Sequence, residues 1–160
     1  MFALTLATPQ DLDEAFRLYR RCADQSPYVW SDDYPYLEIV EEDIALGALY
    51  LLRDDAGRLL AAGALRDGEE LRHLPWNPAF CRPCELSRLG VDPDCQRQGL
   101  GSRMLSLLLQ KAASLGFDGM ILLASTENPP ALALYRRLGF EICGETHCYD
   151  TDFSCMQRAL

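Results

Sequence analysis

Residues 86–105 read LSRLGVDPDCQRQGLGSRML, and this stretch decides the fold. Its apolar start predicts a strand that ends near Val91, and Asp92-Pro93 predicts a turn after it. From Gly99 to Leu115 apolar residues recur at helical spacing, which predicts a long helix. The expected buried stripe of this helix comprises Leu100, Met104, Leu107, Leu108 and Leu115.

The turn between that strand and that helix has features of an anion-binding site. The first turn of a helix leaves N–H groups without intrahelical acceptors, and the aligned peptide dipoles add about half a positive charge there. Gly99 and Gly101 have no Cβ atom that would keep a pyrophosphate away from those groups, and Arg97 and Arg103 lie nearby. The glycine patterns of dinucleotide-binding folds and Walker loops are absent. Two glycines at a helix start also fit a tight turn packed against a strand, so both interpretations stay open.

The rest of the chain alternates between helical and strand patterns. Thr8, Pro9 and Asp11 predict a helix start with a capping box, and Gly57 between two apolar runs predicts a hairpin. We therefore expect an α/β (α+β, mixed) chain with a mixed sheet. The predicted strands are 2–6, 48–53, 58–65, 84–91, 119–124, 141–146 and 153–159, and the predicted helices are 8–22, 36–46, 99–115 and 129–138.

Length, composition and charge restrict the class of protein. The 160 residues fit a single domain over 1–160, and the apolar runs are shorter than the roughly 18 residues that a membrane span requires. The start, from Met1 to Thr5, lacks a basic region followed by a long apolar one, so we expect a cytoplasmic protein without a membrane partner. The net charge of −9 argues against a nucleic-acid partner. It would attract a cationic small molecule, or it serves only to keep the protein in solution.

The seven cysteines form no recognisable disulfide framework, because their number is odd and their spacing is irregular. Cys81 and Cys84 form a single CxxC. A zinc site would need a second pair of ligands, which Cys143, His147 and Cys148 would supply only if folding brought them near. We expect no metal, and we keep a zinc or redox protein built on Cys81 and Cys84 as an alternative.

Linked motifs over residues 84–143 resemble the GNAT superfamily of acyl-CoA-dependent N-acyltransferases. Gln96-x-x-Gly99-x-Gly101 fits the superfamily's Q/R-x-x-G-x-G/A signature. Downstream, Asn128-x-x-Ala131 precedes residues 134–140, LYRRLGF, which look like the superfamily's tyrosine helix and closing strand. The resemblance implies a GNAT-like fold, with a central twisted mixed sheet of about six to seven strands, about four flanking helices and a splayed pair of central strands.

The resemblance also implies acetyl-CoA as co-substrate and assigns residues to it. Backbone N–H groups of the signature turn would bind the pyrophosphate, and main-chain groups at the end of the preceding strand would pair with the pantetheine arm. Asn128 would help to hold the pantetheine, and Tyr135 would lie beside the thioester sulfur. The full set is Leu89, Gly90, Val91, Gln96, Arg97, Gln98, Gly99, Leu100, Gly101, Ser102, Asn128 and Tyr135.

Aminolysis of a thioester needs a neutral amine, a stabilised oxyanion and a protonated leaving thiol. A lysine-like amine has a pKa of about 10.4, so a general base is needed at neutral pH. Glu85 is the candidate base because its spacing to Gln96 resembles that of the base glutamate in the histone-acetylating branch, although it could instead face solvent or pair with Arg88. The resemblance points to the N–H of Leu89 or its neighbour for the oxyanion. Tyr135 is the candidate acid, and its alternative role is a core aromatic.

In the superfamily the acceptor lies over the loop after the first helix and over the C-terminal hairpin. Here that loop contains Tyr28, Trp30 and Tyr34 among acidic residues, which suits a cationic amine but also fits a packed loop with an acidic rim. We therefore predict an N-acetyltransferase in which a small-molecule or peptide amine attacks acetyl-CoA directly in a ternary complex. A non-catalytic acyl-CoA sensor of the same fold is the second alternative. The acceptor, the acyl chain length and a homodimer are left open.

Overall fold

The computed structural model describes residues 1–26 and 30–160, and its helices and strands follow the predicted order. The strands are β1 (Phe2–Leu6), β2 (Leu49–Asp54), β3 (Leu59–Arg66), β4 (Pro83–Val91), β5 (Gly119–Ser125), β6 (Glu141–Cys148) and β7 (Thr151–Ala159). The α-helices are α1 (Leu12–Gln25), α2 (Leu37–Ala45), α3 (Leu100–Ser114) and α4 (Pro129–Arg137). Short 3₁₀ turns precede α1 at Pro9–Asp11 and α3 at Pro93–Cys95, and a third, Glu69–Leu71, lies in the loop before β4.

The strands form one mixed sheet in the order β1-β2-β3-β4-β5-β7-β6. Strand β4 pairs with β5 in parallel, whereas β1 with β2, β2 with β3, β5 with β7 and β6 with β7 are antiparallel. Over the described residues the sheet has seven strands and is accompanied by four α-helices, which confirms the predicted mixed α/β class. The chain divides into two compact units. The first unit comprises Met1–Leu65 and Ser87–Leu108, and the second comprises Arg66–Leu86 and Leu109–Leu160.

The first unit contains a core to which α1, α2, β2 and β3 contribute. In the 3₁₀ turn before α1, the Asp11 carboxylate accepts the N–H of Thr8 at 2.8 Å, which is the side-chain bond expected of the predicted capping box. Strand β3 is buried from Leu59 to Leu65, as expected of a strand covered on both faces. The core residues include Ala15, Leu18, Tyr19, Cys22, Val40, Ile44, Leu49, Leu51, Leu59, Ala62 and Ala64.

The second unit contains the ladder that β5, β7 and β6 form. All residues of β5, from Gly119 to Ser125, pair with β7. By contrast, among the described residues β4 pairs with β5 only through Pro83, Cys84 and Glu85, opposite Gly119, Met120 and Ile121. The resemblance implies a splayed pair of central strands, and this short parallel ladder is the pairing recorded between these two strands.

Helix α3 belongs partly to each unit, and its buried face differs from the predicted stripe. Leu100, Met104 and Leu108 are buried as expected, whereas Leu107 is half-buried and Leu115 is 45% exposed. The helix ends at Ser114, so Leu115 leaves the helical face. None of the helices in the described part of the chain combines the length and hydrophobicity that crossing a bilayer requires.

Candidate active site

The turn between β4 and α3, in the first unit, holds two residues in the left-handed backbone region. Arg97 has a φ of +66° and Gly99 a φ of +75°. The carbonyl of Gly99 accepts the N–H of Arg103 at 3.0 Å, at the start of the helical ladder of α3. The first N–H groups of a helix generally have no acceptor within the helix. Left-handed residues in such a turn orient successive N–H groups toward one side, which creates a concavity suited to an anion.

Gly99 is required by its backbone conformation rather than by lack of space. A Cβ atom at this position would meet no other atom within 4 Å, but the positive φ disfavours any residue with a side chain. Arg97, Gln98 and Gly99 are exposed on the turn, and Leu100 anchors it because its side chain is buried.

Asp92 fixes the start of this turn, and sequence reasoning named it only as a turn signal. The residue is 3% exposed, and its carboxylate accepts the N–H of Asp94 at 2.9 Å. Arg21 and Arg58 contact the same carboxylate at 3.0 and 3.2 Å. Burial alone would raise the pKa of Asp92, but these hydrogen bonds and charges outweigh it and hold the pKa below its usual value.

A small cavity of about 80 Å³ lies in the first unit, at the end of β4. It is lined by Cys22, Ser26, Trp30, Leu89, Gly90, Val91 and Gln96. Leu89, Gly90, Val91 and Gln96, predicted to bind the co-substrate, are therefore brought together with Trp30, predicted to bind the acceptor. Sequence reasoning did not assign Cys22 or Ser26 to the site. Their spacing from Tyr19 is nevertheless that of one helical face, with Cys22 on α1 and Ser26 directly after its end.

Gly90 lets the aromatic wall of this cavity approach β4. A Cβ atom on Gly90 would lie 3.2 Å from Trp30, 3.3 Å from Cys22 and 3.4 Å from Tyr19. The indole of Trp30 packs edge-to-face on Tyr19, with ring centroids 5.5 Å apart. Trp30 is thus held against the strand predicted to bind the co-substrate.

The carbonyl of Val91 already has two partners inside this unit. It accepts the Nε2 group of Gln96 at 3.3 Å and the thiol of Cys22 at 3.2 Å. The signature residue Gln96 thus links the phosphate-binding turn to the end of β4. A carbonyl oxygen has two lone pairs, so pairing of this group with a pantetheine arm would compete with these contacts.

Tyr34 does not point its hydroxyl toward open solvent, because that group accepts a hydrogen bond from Nη1 of Arg88 at 2.8 Å. Arg88 also donates from Nε and Nη2 to the two carboxylate oxygens of Asp43, each at 2.6 Å. The Asp43 side chain is 0% exposed and that of Arg88 8% exposed. Burial opposes the charged form of Arg88, but the bonds and charge of Asp43, with the contribution of Tyr34, outweigh it and raise the arginine pKa.

Sequence reasoning missed this Asp43–Arg88–Tyr34 cluster, although a signal was present. Asp43 lies on the same face of α2 as Val40 and Ile44, so an otherwise apolar stripe carries a carboxylate. A buried carboxylate requires a partner of opposite charge, and Arg88 is the basic residue within the β4 strand. Tyr28, the third predicted acceptor residue, lies outside the described residues.

The second unit carries Glu85, Asn128 and Tyr135. Glu85 is half-buried on β4 opposite Ile121. The carboxylate that pairs with the Arg88 guanidinium is that of Asp43. Asn128 caps α4, since its side-chain oxygen accepts the N–H of Ala131 at 3.3 Å.

Tyr135 packs on Phe140 with ring centroids 5.7 Å apart. Burial raises the pKa of Tyr135 to about 12, so its hydroxyl stays protonated at neutral pH. A protonated phenol can donate a hydrogen bond to a thiolate.

The two cysteines of the CxxC pair differ in their surroundings. All seven are free, Cys81 is exposed and Cys84 is buried. Burial raises the pKa of Cys84 to about 12, which disfavours its reactive form. Among residues 1–26 and 30–160, no three His, Cys, Asp or Glu side chains are grouped as metal ligands would be.

Comparison with known proteins identifies the family. The model of the acetyltransferase (GNAT) family matches residues 9–140. A mycothiol acetyltransferase from Clavibacter sepedonicus is 42% identical over 87 residues, which are 54% of this chain and 28% of that relative. The chain thus spans less than a third of that relative's length.

Solved structures share the fold. A GNAT-family acetyltransferase from Listeria monocytogenes has a TM-score of 0.82 and 21% identity, over 99% of this chain and 95% of that one. A phosphinothricin acetyltransferase from Sinorhizobium meliloti, solved with acetyl-CoA, has a TM-score of 0.74 and 22% identity, over 99% and 88%. The chain therefore belongs to the acetyltransferase (GNAT) family.

Proposed function

We propose that this protein transfers an acetyl group from acetyl-CoA to an amine of a small-molecule or peptide acceptor. The observation that carries the proposal is the left-handed turn at Arg97 and Gly99 between the end of β4 and α3. This turn precedes the first helical hydrogen bond of α3, and backbone N–H groups in that position bind phosphate groups readily. Family membership and the acetyl-CoA complex of a structural relative support the same substrate.

In this proposal the turn residues 97–102 bind the pyrophosphate through their N–H groups, and residues 89–91 pair with the pantetheine arm. Because the carbonyl of Val91 is engaged, the pairing relies mainly on the other main-chain groups of this stretch. Asn128 would donate from its side-chain NH₂ group, since its oxygen caps α4. The proposal specifies an acetyl group, and thiol release from longer acyl-CoA thioesters would test the chain length.

The chemistry would be a direct attack in which the amine nitrogen bonds to the carbonyl carbon and the carbon–sulfur bond breaks. Glu85 would take the proton that the amine must lose, directly or through a water molecule. The N–H of Leu89 would stabilise the oxyanion. Tyr135 would stabilise the leaving sulfur mainly as a hydrogen-bond donor. Full proton transfer from a group with a pKa of about 12 to a thiolate is uphill, since the reference thiol, cysteine, has a pKa of about 8.5.

The acceptor would lie near the aromatic residues Trp30 and Tyr34. Trp30 lines the cavity at the end of β4, which supports this placement. The name of the mycothiol acetyltransferases makes their acceptor a candidate for a test panel. The free state of all seven cysteines supports a reducing, cytoplasmic location. The net charge of −9 favours a cationic acceptor over nucleic acid.

The test has two steps. Calorimetry with CoA should show binding that weakens when the Gly99 turn is altered. Thiol release from acetyl-CoA should then depend on an amine, in a panel that contains a polyamine, an amino sugar, a peptide N-terminus and the acceptor of mycothiol acetyltransferases. Binding of CoA without turnover across this panel would favour the acyl-CoA sensor, and no binding by folded protein would contradict the proposal.

A further inference from the structure

We propose that the buried Asp43–Arg88–Tyr34 cluster is a positioning device that sets the direction of the Leu89 N–H group. The inference rests on the proposed function, in which that N–H contacts the thioester carbonyl, and it gives the cluster a role in turnover in addition to one in folding. All four residues belong to the first unit.

The backbone of Arg88 departs from a regular strand. Its φ is +51°, a left-handed value that few residues other than glycine adopt. The N–H of Leu89 belongs to the peptide that joins Arg88 to Leu89. The torsion angles of Arg88 therefore decide where this N–H points relative to the rest of β4.

A left-handed arginine in a strand persists only where its surroundings hold it. Here Asp43 grips Nε and Nη2 through both carboxylate oxygens, each at 2.6 Å, and Tyr34 contacts Nη1 at 2.8 Å. These three nitrogen–oxygen contacts fix the planar guanidinium. Because Asp43 is on α2, the arginine is tied to a rigid helix as well as to a loop.

The cluster also connects the predicted acceptor loop with the predicted oxyanion donor. Tyr34 belongs to the loop predicted to receive the acceptor, and Arg88 adjoins the predicted oxyanion donor Leu89. Arg20 holds the same loop to α1 through the carbonyl of Asp32 at 2.6 Å. Tyr34 is therefore a positioning residue that connects this loop to β4, rather than a residue whose hydroxyl is directed at the acceptor.

Two single variants test the proposal, and each has a control. Tyr34→Phe removes one bond to the guanidinium and keeps the ion pair, and Arg88→Lys keeps the charge but loses the planar fork. Tyr36→Phe is the matched control for the first, since Tyr36 is an exposed neighbour whose ring centroid lies 6.0 Å from that of Tyr34. Arg53→Lys is the control for the second, since Arg53 pairs with Asp11 and Glu14.

A double variant, Asp43→Leu with Arg88→Met, guards against misfolding. Removal of one partner would leave a buried charge uncompensated, whereas apolar residues at both positions are often tolerated. Thermal unfolding of each variant then shows which proteins are folded and can be compared.

The decisive readout does not require a known acceptor. CoA lacks the thioester carbonyl that the Leu89 N–H would contact, so the ratio of the affinities for acetyl-CoA and CoA reports on this bond. We expect the ratio to fall by about two- to tenfold in Tyr34→Phe and Arg88→Lys, with CoA affinity itself within about twofold of the unaltered protein. With a reactive amine, kcat should fall by about tenfold or more, while the KM for acetyl-CoA should rise by no more than the loss of acetyl-CoA affinity.

The two failures are distinguishable. If the unaltered protein binds both ligands and the folded variants keep its affinity ratio and kcat, the cluster serves folding alone and this inference is wrong. If the unaltered protein turns over no amine, the proposed function fails, while the affinity ratio still tests the position of the Leu89 N–H. If it binds neither ligand, both proposals fail.

Discussion

Tyr135 shows how burial changes what a side chain can do. The ring packs on Phe140, and burial raises the pKa of the hydroxyl to about 12. At neutral pH the group is therefore almost wholly protonated, which suits a hydrogen-bond donor. The same shift makes it a weak proton source for a thiolate with a reference pKa of about 8.5.

The first prediction follows from that assignment. Tyr135→Phe should lower kcat by about tenfold or more and leave CoA affinity within about twofold, because the ring still packs but the donor is lost. Steady-state kinetics and calorimetry measure the two quantities. Phe140→Leu, which alters the same packing without removing a donor, is the control. Unchanged turnover in Tyr135→Phe would make Tyr135 a core aromatic only.

A second prediction concerns Tyr19, whose hydroxyl is buried and has no hydrogen-bond partner among the described residues. Burial raises the pKa of this phenol well above its usual value, so the group is neutral and its desolvation is uncompensated. Tyr19→Phe should leave the free energy of unfolding unchanged or raise it by about 1 kcal/mol. Urea denaturation measures this. A loss of more than about 1 kcal/mol would show that the hydroxyl has a stabilising partner.

At the scale of elements, the turn before α3 depends on the conformation of Gly99. Because nothing lies within 4 Å of its Cβ position, a substitution there acts through the backbone. Gly57, in the β2–β3 hairpin, has a φ of +81° and equally open surroundings. The two glycines thus form a natural pair of test and control.

Gly99→Val should weaken CoA binding by about tenfold or more, because a left-handed conformation costs an L-residue roughly 1–2 kcal/mol and the turn would relax away from it. Gly57→Val should cause a similar loss of stability without that loss of affinity. Calorimetry and thermal unfolding separate the two effects. Equal affinities of Gly99→Val and the unaltered protein would show that this turn does not bind the pyrophosphate.

The sequence was informative about elements whose ends carry strong local signals. Gly57 does adopt the positive φ that the hairpin pattern predicts, and Asp11 makes the expected capping-box bond to Thr8 before α1. Strands β6 and β7 were each predicted two residues too short at the end next to their shared turn. The turn residues Tyr149 and Asp150 take positive φ values although neither is a glycine. A tyrosine gives no turn signal, so the pattern could not show where β6 ends.

The candidate site was predictable in part, for a physical reason. The signature motif identifies the main-chain groups at the end of β4 and in the turn as candidates. Leu89 and Gln96 line the same cavity. Asp43 and Arg88 lie 45 residues apart, and their pairing depends on how α2 packs on β4. Pairing over such a distance is set by the fold and leaves no local pattern.

For the whole molecule, two carboxylates with lowered pKa values make stability depend on pH. Asp92 and Asp11 both have pKa values held below their usual range, for Asp11 mainly through the N–H of Thr8. A folded-state pKa below the unfolded value of about 3.9 stabilises the protein above that pH. This contribution is lost as the pH falls through the folded pKa. The free energy of unfolding should therefore decrease between about pH 5 and pH 2.

Asp92→Asn should lower the free energy of unfolding at pH 7 by about 1–3 kcal/mol and reduce its fall on acidification. The reason is that the amide cannot accept from Arg21, Arg58 and the Asp94 N–H as a carboxylate does. Asp94→Asn is the control, since Asp94 pairs with Arg21 but its side chain is 68% exposed, and such pairs contribute less than about 1 kcal/mol. Urea titrations at several pH values measure both. Equal pH profiles for the two variants would contradict the role given to Asp92.

The uneven burial of the thiols has a practical consequence for enzymology. Colorimetric reagents that detect released CoA also react with protein thiolates, and Cys81 is exposed to them. Cys22 and Cys84, with pKa values of about 12, should react slowly. Native protein should therefore give a fast background reaction at Cys81, which Cys81→Ser reduces. A slow later rise in colour without substrate would then indicate unfolding that exposes the buried thiols.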